Sequence, residues 1–445
     1  MMRFARACSF VFLAAALAGC SSLGDMFAGK DNDDVLPGTR ISVLALEREL
    51  RPSIETTDTR IILPQPEDTS IWPGAGGLSH HAMHHMVIGD LPARVWSAGI
   101  GEGSGLRNRM FAEPIIAGGR VYTMDADGRV AAFDSKNGRR LWRVDTAPEV
   151  EEDNHFNGGA IAIEGDRIYA TSGAAEVLAM NAADGKVLWR ATTETPVRAA
   201  PAVSGGRVFV TTIENQVIAF AANDGAQLWT YAGASTPTIL LGGSAPAVDG
   251  GVVVAALSTG ELAALRADNG SLLWSETVVA IRRTEAAASL PDIAARPVID
   301  RGRVFAVGQS GLIVAIDLRT GNRLWEAPVA GIYQPWIAGD FLYTVTIDAE
   351  AVCIDARSGR ILWVTQLRAW EDENDREDRV IWAGPVLASD RLILVNSLSE
   401  AISISPYSGE VIGQMELPAS TTMAPVFANA TMFVLDDDGD LTAYQ

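Results

Sequence analysis

The sequence predicts an all-β fold, an eight-bladed β-propeller whose blades are four-stranded antiparallel sheets, and three observations carry this prediction. One motif recurs along the chain: a small residue, an acid or amide two positions later, a turn that ends in Gly, and a strand that ends in Trp. Its clearest copy contains Ala315, Asp317, Gly321 and Trp325. Successive copies place their Trp residues 38 to 51 residues apart, which is a repeat length typical of propeller blades. Short β-branched and apolar runs, separated by Gly, Asp and Asn, fit four strands into each repeat.

Each part of the motif has a physical reason. The Gly allows a positive φ angle, so the third strand of a blade can reverse into the fourth. The small residue leaves room for the Trp ring, which we expect to pack against the neighbouring blade. A Pro leads the first strand of seven repeats, where its missing N–H costs no ladder bond, and Ile161 replaces it in the second. The predicted docking residues are Trp96, Trp142, Trp189, Trp229, Trp274, Trp325 and Trp363.

The two ends of the repeat region predict how the ring closes. The seventh repeat has Gly413 where the Trp would stand, and the eighth ends at Gln445 before its fourth strand. Trp96 ends a strand that looks like the last strand of a repeat, but no earlier strands precede it. We therefore expect strand 93–97 to pair with strands from 421–445, which completes the eighth blade and leaves no exposed sheet edge between the first and last blades.

Residues 1–19 have the pattern of a secretory signal, because a basic start precedes an apolar run that is too short to span a bilayer. The run ends with the four residues Leu17 to Cys20, which resemble the lipobox of bacterial lipoproteins. That resemblance implies cleavage before Cys20 and its acylation, and several acyl chains make a durable membrane anchor. Ser21 after the Cys implies sorting to the outer membrane. The alternative is an ordinary signal peptide with an incidental Cys.

Residues 20–91 are predicted to be a lipidated tether and an extended N-terminal segment, followed by the propeller at 92–445. The first part of the segment is rich in Asp, Gly and Lys, which is typical of a solvated tether. The later part is led by Pro and rich in Gly. We expect Trp72 in this part to dock onto the propeller.

Four histidines lie close together at the end of this segment. On a helix, His80 and His84, like His81 and His85, would stand four residues apart, a spacing that can bind zinc, nickel or copper. No acid or thiol lies within the cluster to complete a metal site. The alternative is a short docked helix with the histidines at its rim.

Composition and charge exclude some classes of partner. The formal net charge is −20, and it becomes −22 when the two arginines of the signal are removed. Proteins that bind nucleic acid present clustered Lys and Arg, so nucleic acid is not a predicted partner. The same acidic surface argues against adsorption to anionic lipid.

The remaining chemical groups favour structural roles. Cys8 leaves with the signal and Cys20 is consumed by lipid, so Cys353 stands alone and is interpreted as a buried small residue. The acidic stretches at 149–153 and 371–378 are interpreted as insertions between blades. Asp436 to Asp440 resemble a calcium loop, but no Glu follows at the closing position, so a turn is the better interpretation.

The motif Ala-x-Asp-x-x-x-Gly-x-x-x-Trp resembles the docking motif of the quinoprotein-like propellers, over about residues 93–445. One family with this motif is the pyrroloquinoline-quinone dehydrogenases. A resemblance to these enzymes would imply two adjacent cysteines over the quinone, a Ca²⁺ site built of carboxylates and an amide, and an Asp that acts as the base. This chain has one cysteine and one histidine, His155, in the propeller, and it is shorter than those enzymes. Because motif matches carry the fold and not the activity, we predict no enzyme and no cofactor.

The second family with this motif is BamB, the lipoproteins of the outer-membrane β-barrel assembly machinery. This resemblance implies a non-enzymatic scaffold that is lipid-anchored on the periplasmic face of the outer membrane. It also implies that the scaffold binds the periplasmic POTRA domains of BamA, works with the other subunits of the complex, and assists the insertion of β-barrel precursors. We also expect, from β-augmentation and not from the resemblance, that precursor strands pair with an exposed outermost blade strand. The alternative is a periplasmic propeller that binds another partner or ligand.

In that family two neighbouring loops hold BamA, and they correspond here to 236–246 and 289–297. The resemblance implies contacts through Leu240 and Asp292, with Leu241 beside them. Leu241 stands where the best-known members have Arg, and Ala294 where they have a second acid, so the implied contact keeps mainly its apolar part. The alternative is that the two leucines belong to ordinary packing between blades.

Overall fold

The computed structural model describes residues 50–53, 59–90, 92–105, 108–146, 159–197, 199–235, 243–279 and 293–445. Over these residues the protein is all-β and contains no helix, so none of the described segments is a candidate for a helical membrane span. Leu50–Gln445 form one compact unit. Eight four-stranded antiparallel sheets follow one another around it, which confirms the predicted eight-bladed propeller.

The chain enters the ring through the strand that closes it, and the first three blades follow. The closing strand is β1 (Arg94–Gly99). Blade 1 consists of β2 (Ile115–Ala117), β3 (Arg120–Met124), β4 (Arg129–Asp134) and β5 (Arg140–Asp145). Blade 2 consists of β6 (Ile161–Glu164), β7 (Arg167–Ser172), β8 (Glu176–Asn181) and β9 (Val187–Thr192). Blade 3 consists of β10 (Ala202–Ser204), β11 (Arg207–Thr211), β12 (Gln216–Ala221) and β13 (Gln227–Ala232).

The next three blades repeat the same meander. Blade 4 consists of β14 (Ala247–Asp249), β15 (Val252–Ala256), β16 (Glu261–Arg266) and β17 (Leu272–Thr277). Blade 5 consists of β18 (Val298–Asp300), β19 (Arg303–Gly308), β20 (Leu312–Asp317) and β21 (Arg323–Ala327). Blade 6 consists of β22 (Trp336–Ala338), β23 (Phe341–Val345), β24 (Glu350–Asp355) and β25 (Ile361–Gln366).

A small hairpin precedes the last two blades. It consists of β26 (Trp370–Asp372) and β27 (Glu377–Arg379). Blade 7 consists of β28 (Trp382–Ala388), β29 (Arg391–Asn396), β30 (Glu400–Ile404) and β31 (Val411–Glu416). Blade 8 consists of β32 (Val426–Ala428), β33 (Thr431–Leu435) and β34 (Asp440–Tyr444), with β1 as its fourth strand.

The burial of each strand fixes its place in the ring. The second and third strands are buried on both faces, as β12 is between its first and last residues, because neighbouring blades cover both sides of the sheet. The fourth strands alternate, and in β13 the Trp is the one buried residue. The first strands of neighbouring blades contact one another around the ring, so they lie innermost, along its axis.

The ring closes as predicted. β1 pairs antiparallel with β34, and Trp96 stands opposite Ala443 as the Trp of other blades stands opposite a small residue. The main chain of Ala93 and Gln445 is joined by two hydrogen bonds of 3.0 Å. The two parts of blade 8 therefore form one sheet. The side chains of Ser97 and Thr442, which are 345 positions apart in the sequence, are hydrogen-bonded within it.

Residues 61–90, which we call the strap, run along the inner strands of the ring. They contain isolated bridges and turns, and none of them is helical, so the short helix predicted for the histidine cluster is wrong. His81 and His84 have φ angles of 65° and 58°, which interrupt any helix. Trp72, as expected, docks onto the propeller: it is 2% exposed and stacks on Trp336 with ring centroids 6.3 Å apart.

Candidate functional site

The contact that joins neighbouring blades is clearest at Trp325. This residue stands opposite Ala315 across β20 and β21, and its ring reaches the next blade. There its Nε1 donates a hydrogen bond of 2.9 Å to the carbonyl of Ala356. The ring also lies against Gly359, where an added Cβ would be 2.7 Å from two ring atoms. Phe305 of the same blade also packs against the Trp325 ring, with ring centroids 6.1 Å apart.

The other six predicted docking residues have the same surroundings. Each ring lies against the turn Gly of the following blade, and each of those glycines has a positive φ angle. The Gly is therefore needed twice, for its backbone conformation and for the space that the ring fills. The pairs are Trp96 with Gly138, Trp142 with Gly185, Trp189 with Gly225, Trp229 with Gly270, Trp274 with Gly321, and Trp363 with Gly409.

The two loops of the implied partner contact end side by side. The Oγ atom of Ser244, which precedes β14, donates a hydrogen bond of 3.1 Å to the carbonyl of Ala295, which precedes β18. Both residues are buried. Leu240, Leu241 and Asp292 themselves lie outside the described residues, as does Cys20. The described ends of the two loops, at Ser244 and Ala295, are in direct contact.

A polar cluster that the sequence analysis missed lies on the ring axis. Arg296 of blade 5 forms an ion pair with Glu113 of blade 1, on the opposite side of an eight-bladed ring. Arg296 Nε also donates to Gln334 Oε1 at 2.9 Å, and Glu113 Oε2 accepts the N–H of Gly76 at 2.9 Å. The three side chains precede the Pro that leads blades 1, 5 and 6. Four of the other five blades have Ala at this position, and that difference is the signal by which the sequence could have found the cluster.

The histidine cluster is held by backbone contacts. His81 and His85 are buried, and their Nδ1 atoms each donate a hydrogen bond of 2.7 Å, to the carbonyls of Pro297 and Pro64. Burial, and then the charge of Arg296, lowers the pKa of His81 to about 3, so its ring is neutral. Burial also lowers the pKa of His80. Within the described ranges no three His, Cys, Asp or Glu side chains are arranged to hold a metal ion.

The remaining candidate groups have structural surroundings. Cys353 is fully buried opposite Trp363, and burial raises the pKa of its thiol well above the ordinary value. The thiol therefore stays protonated and is a poor nucleophile. Asp436 accepts the N–H of Asp440 at 2.8 Å within the turn from β33 to β34. Burial raises the pKa of Asp436, as expected for a carboxyl group packed inside a turn.

The acidic stretch at 371–378 forms the tip of the small hairpin. Its side chains are exposed, and the hairpin is held at its base by Arg379, whose guanidinium lies 4.8 Å from the ring centre of Trp370. Arg379 also donates a hydrogen bond of 2.7 Å to the carbonyl of Ile347 in blade 6. The side chains at the tip are therefore not part of the ring core.

Comparison with known proteins finds relatives named outer membrane protein assembly factor BamB. A protein from Marinobacter adhaerens named outer membrane protein assembly factor BamB is 27% identical over 158 residues, which are 35% of this chain and 38% of that protein. The protein of the same name from Vibrio cholerae is 33% identical over 255 residues, 57% of this chain and 65% of that protein. These matches span less than two thirds of the length of the relatives.

Solved structures share the fold. The crystal structure of BamB from Moraxella catarrhalis has a TM-score of 0.66 and 17% identity, and the match covers 80% of this chain and all of that one. The quinohemoprotein alcohol dehydrogenase from Comamonas testosteroni has a TM-score of 0.65 and 12% identity, with 85% and 81% covered. At these identities both likenesses show the propeller fold alone.

The family is decided by the sequence model described as outer membrane protein assembly factor BamB, which matches residues 95–155 and 126–365. The matched range starts within β1 and ends within β25, so it includes the blades whose Trp residues dock on the next blade. Since the match extends over more than half of the chain, this protein belongs to the BamB family of outer membrane protein assembly factors.

Proposed function

We propose that this protein is a non-enzymatic scaffold of outer-membrane β-barrel assembly, which binds the periplasmic POTRA domains of BamA. The contact uses the two loops that contain Leu240, Leu241 and Asp292. The lipid on Cys20 holds the scaffold on the periplasmic face of the outer membrane. There it works with the other subunits of the complex and assists the insertion of β-barrel precursors.

The observation that carries this proposal is the hydrogen bond between Ser244 and Ala295. It joins the ends of two loops that enter neighbouring blades, which supports the proposal that one partner contacts both loops. An apolar anchor with a charged neighbour is the usual composition of a protein-binding hot spot. Leu240 with Leu241 supplies the apolar part, and Asp292 supplies the charge.

The ring axis supports a scaffold over a quinone enzyme. Glu113 and Arg296 pair directly across it, and the strap reaches them through Gly76. The propeller's single cysteine, Cys353, is buried beneath Trp363, away from the axis. The chain's own groups therefore bond to one another across the axis.

Co-purification from solubilised outer membranes tests the proposal. The full chain, expressed with its signal, should retain BamA through a wash in mild detergent, and a Cys20→Ser chain should retain it less because it is no longer held at the membrane. A full-length lipidated chain that retains no BamA would contradict the scaffold function. Absorbance after addition of pyrroloquinoline quinone and calcium tests the enzyme alternative, and we expect no bound quinone.

A further inference from the structure

The innermost strand of every blade has one edge that its own sheet leaves without a partner. Such an edge carries N–H and C=O groups in a row and readily pairs with another extended segment. In this ring the edges face the axis, so a segment lying there can reach several blades in turn. The strap occupies this position.

The strap is bonded to the inner strands by its main chain. Trp72 and Ile116 exchange two hydrogen bonds of 2.8 Å, and Met86 N donates to the carbonyl of Leu387 at 2.9 Å. Further bonds run from N–H groups of the ring to carbonyls of the strap, and one of them, from Ser389 to Met86 at 2.9 Å, is in blade 7. The others join Ile163 to Pro73 at 2.7 Å, Val248 to Ser79 at 2.7 Å, Ile299 to His80 at 2.9 Å, and Asn429 to Thr69 at 2.7 Å.

These bonds reach blades 1, 2, 4, 5, 7 and 8, and side chains add blade 6. There the Nε1 of Trp336 donates to the carbonyl of His84 at 2.6 Å, and the amide of Gln334 donates to the carbonyl of His81 at 2.9 Å. Side chains of the strap, Trp72 and Met86 among them, are buried in the ring core. The strap thus follows the ring around almost its full circle.

The last residues of the strap accept hydrogen bonds that, in other blades, go to the turn between the third and fourth strands of the next blade. In blades 1, 2 and 5 an Arg at the start of the second strand reaches the last turn of the next blade, as Arg120 does with the carbonyl of Ala182 at 2.8 Å. Blade 8 has no such turn, because its fourth strand is β1 and does not follow β34 along the chain. Arg391 of blade 7 instead donates to the carbonyls of Gly89 and Asp90, at 2.6 and 2.8 Å.

Gly413 stands at the same seam. It stands where other blades have the Trp that docks on the turn of the next blade. An added Cβ at Gly413 would meet only Ser403 of its own blade. Blades 7 and 8 are therefore joined without the Trp and Gly contact that joins the other seven pairs. The strap bonds to blade 7 through Met86 and continues directly into β1 of blade 8, so it fastens this seam.

We propose that the inner edges of the blades form a binding site for one extended peptide, and that the strap is its resident ligand. Recognition is through main-chain hydrogen bonds to successive blades, with pockets for side chains such as Trp72 that fix the register. Because the strap is covalently attached, its effective concentration is high and the site is filled in the intact protein. The site follows from the ring and the strap alone and does not depend on the proposed partner.

A cleavable full-length chain tests this proposal. A site-specific protease sequence placed after Leu91 separates the strap from β1 without removing any residue. After cleavage, the strap should stay with the ring on size exclusion. In denaturant too dilute to unfold the ring, it should exchange with a labelled synthetic peptide of residues 59–90. Hydrogen exchange at the N–H groups of Ile116, Ile163, Val248 and Ile299 should accelerate when the strap is released and slow again when the peptide binds.

Two variant peptides provide the matched comparison. Trp72→Ala removes a side chain that is 2% exposed and should weaken binding roughly a hundredfold or more. Ile62→Ala removes one that is 69% exposed and should change binding less than about threefold, as is usual for surface positions. Equal binding of both variants would overturn the proposal. The proposal would also be overturned if the strap were released and the melting temperature and hydrogen exchange of the ring did not change. A strap that dissociates only when the ring unfolds would overturn it too.

Discussion

Substituting Gly359 isolates the contact that joins one blade to the next. Gly359 has a φ of 76°, and a Cβ there would stand 2.7 Å from two atoms of the Trp325 ring. Holding Ala at a positive φ costs about 1–2 kcal/mol. Forcing a methyl group into a packed interface costs about 1–3 kcal/mol more. We therefore expect Gly359→Ala to lower the free energy of unfolding by about 2–5 kcal/mol.

Gly302 is the matched control for the backbone cost. Its φ is 73°, and an added Cβ would meet nothing within 4 Å. Gly302→Ala should therefore cost only the conformational part, about 1–2 kcal/mol. In a Trp325→Ala background, Gly359→Ala should cost about as much as Gly302→Ala, because the ring it collides with is absent. Urea unfolding followed by fluorescence measures all four variants. Equal costs for Gly359→Ala and Gly302→Ala in the natural background would refute the contact.

Three further changes test other parts of the account. Trp325→Ala should lower the free energy of unfolding by about 3–5 kcal/mol, because it removes a buried ring, and an unchanged melting temperature would contradict this. Cys20→Ser should move the protein from the outer-membrane fraction to the soluble periplasmic fraction, or leave its signal uncleaved, without changing its melting temperature. Mature lipid-free protein that still fractionates with the outer membrane would contradict the lipid anchor. The pKa of His81 lies near 3 in the folded chain and near 6.5 in the unfolded chain, so its contribution to stability is complete above pH 6.5 and is lost as the pH falls towards 3. Between pH 6.5 and 5 the folded protein should lose up to about 1.4 kcal/mol per pH unit relative to His81→Asn, and parallel curves for the two proteins would contradict the neutral buried ring.

The repeat could be predicted from the sequence because its causes are local. Ala315, Gly321 and Trp325 lie within one hairpin, so turn conformation and side-chain size fix their spacing. The closure of the ring could also be predicted, because Trp96 supplies the strand that the eighth repeat lacks. The second role of the glycines was not visible, since the ring that fills the space beside Gly359 belongs to the preceding repeat.

The strap and the axis cluster could not be predicted in the same way. Glu113 and Arg296 are 183 positions apart and meet only because blades 1 and 5 face each other across the ring. The spacing of the four histidines fits a helix, but the open edges of the inner strands select an extended backbone. His81 and His84 then adopt left-handed conformations so that His80 and Met86 can reach blades 5 and 7.

Binding between the purified unlipidated mature chain and the POTRA domains of BamA tests the central claim most directly. Leu240→Ala combined with Asp292→Ala should weaken this binding at least about tenfold, as expected for hot-spot residues, with a nearly unchanged melting temperature. Glu371→Ala combined with Asp372→Ala, at the exposed hairpin tip, should leave the dissociation constant within about twofold of the natural chain. Equal affinities for the two double variants would contradict the assignment of the BamA contact to these loops.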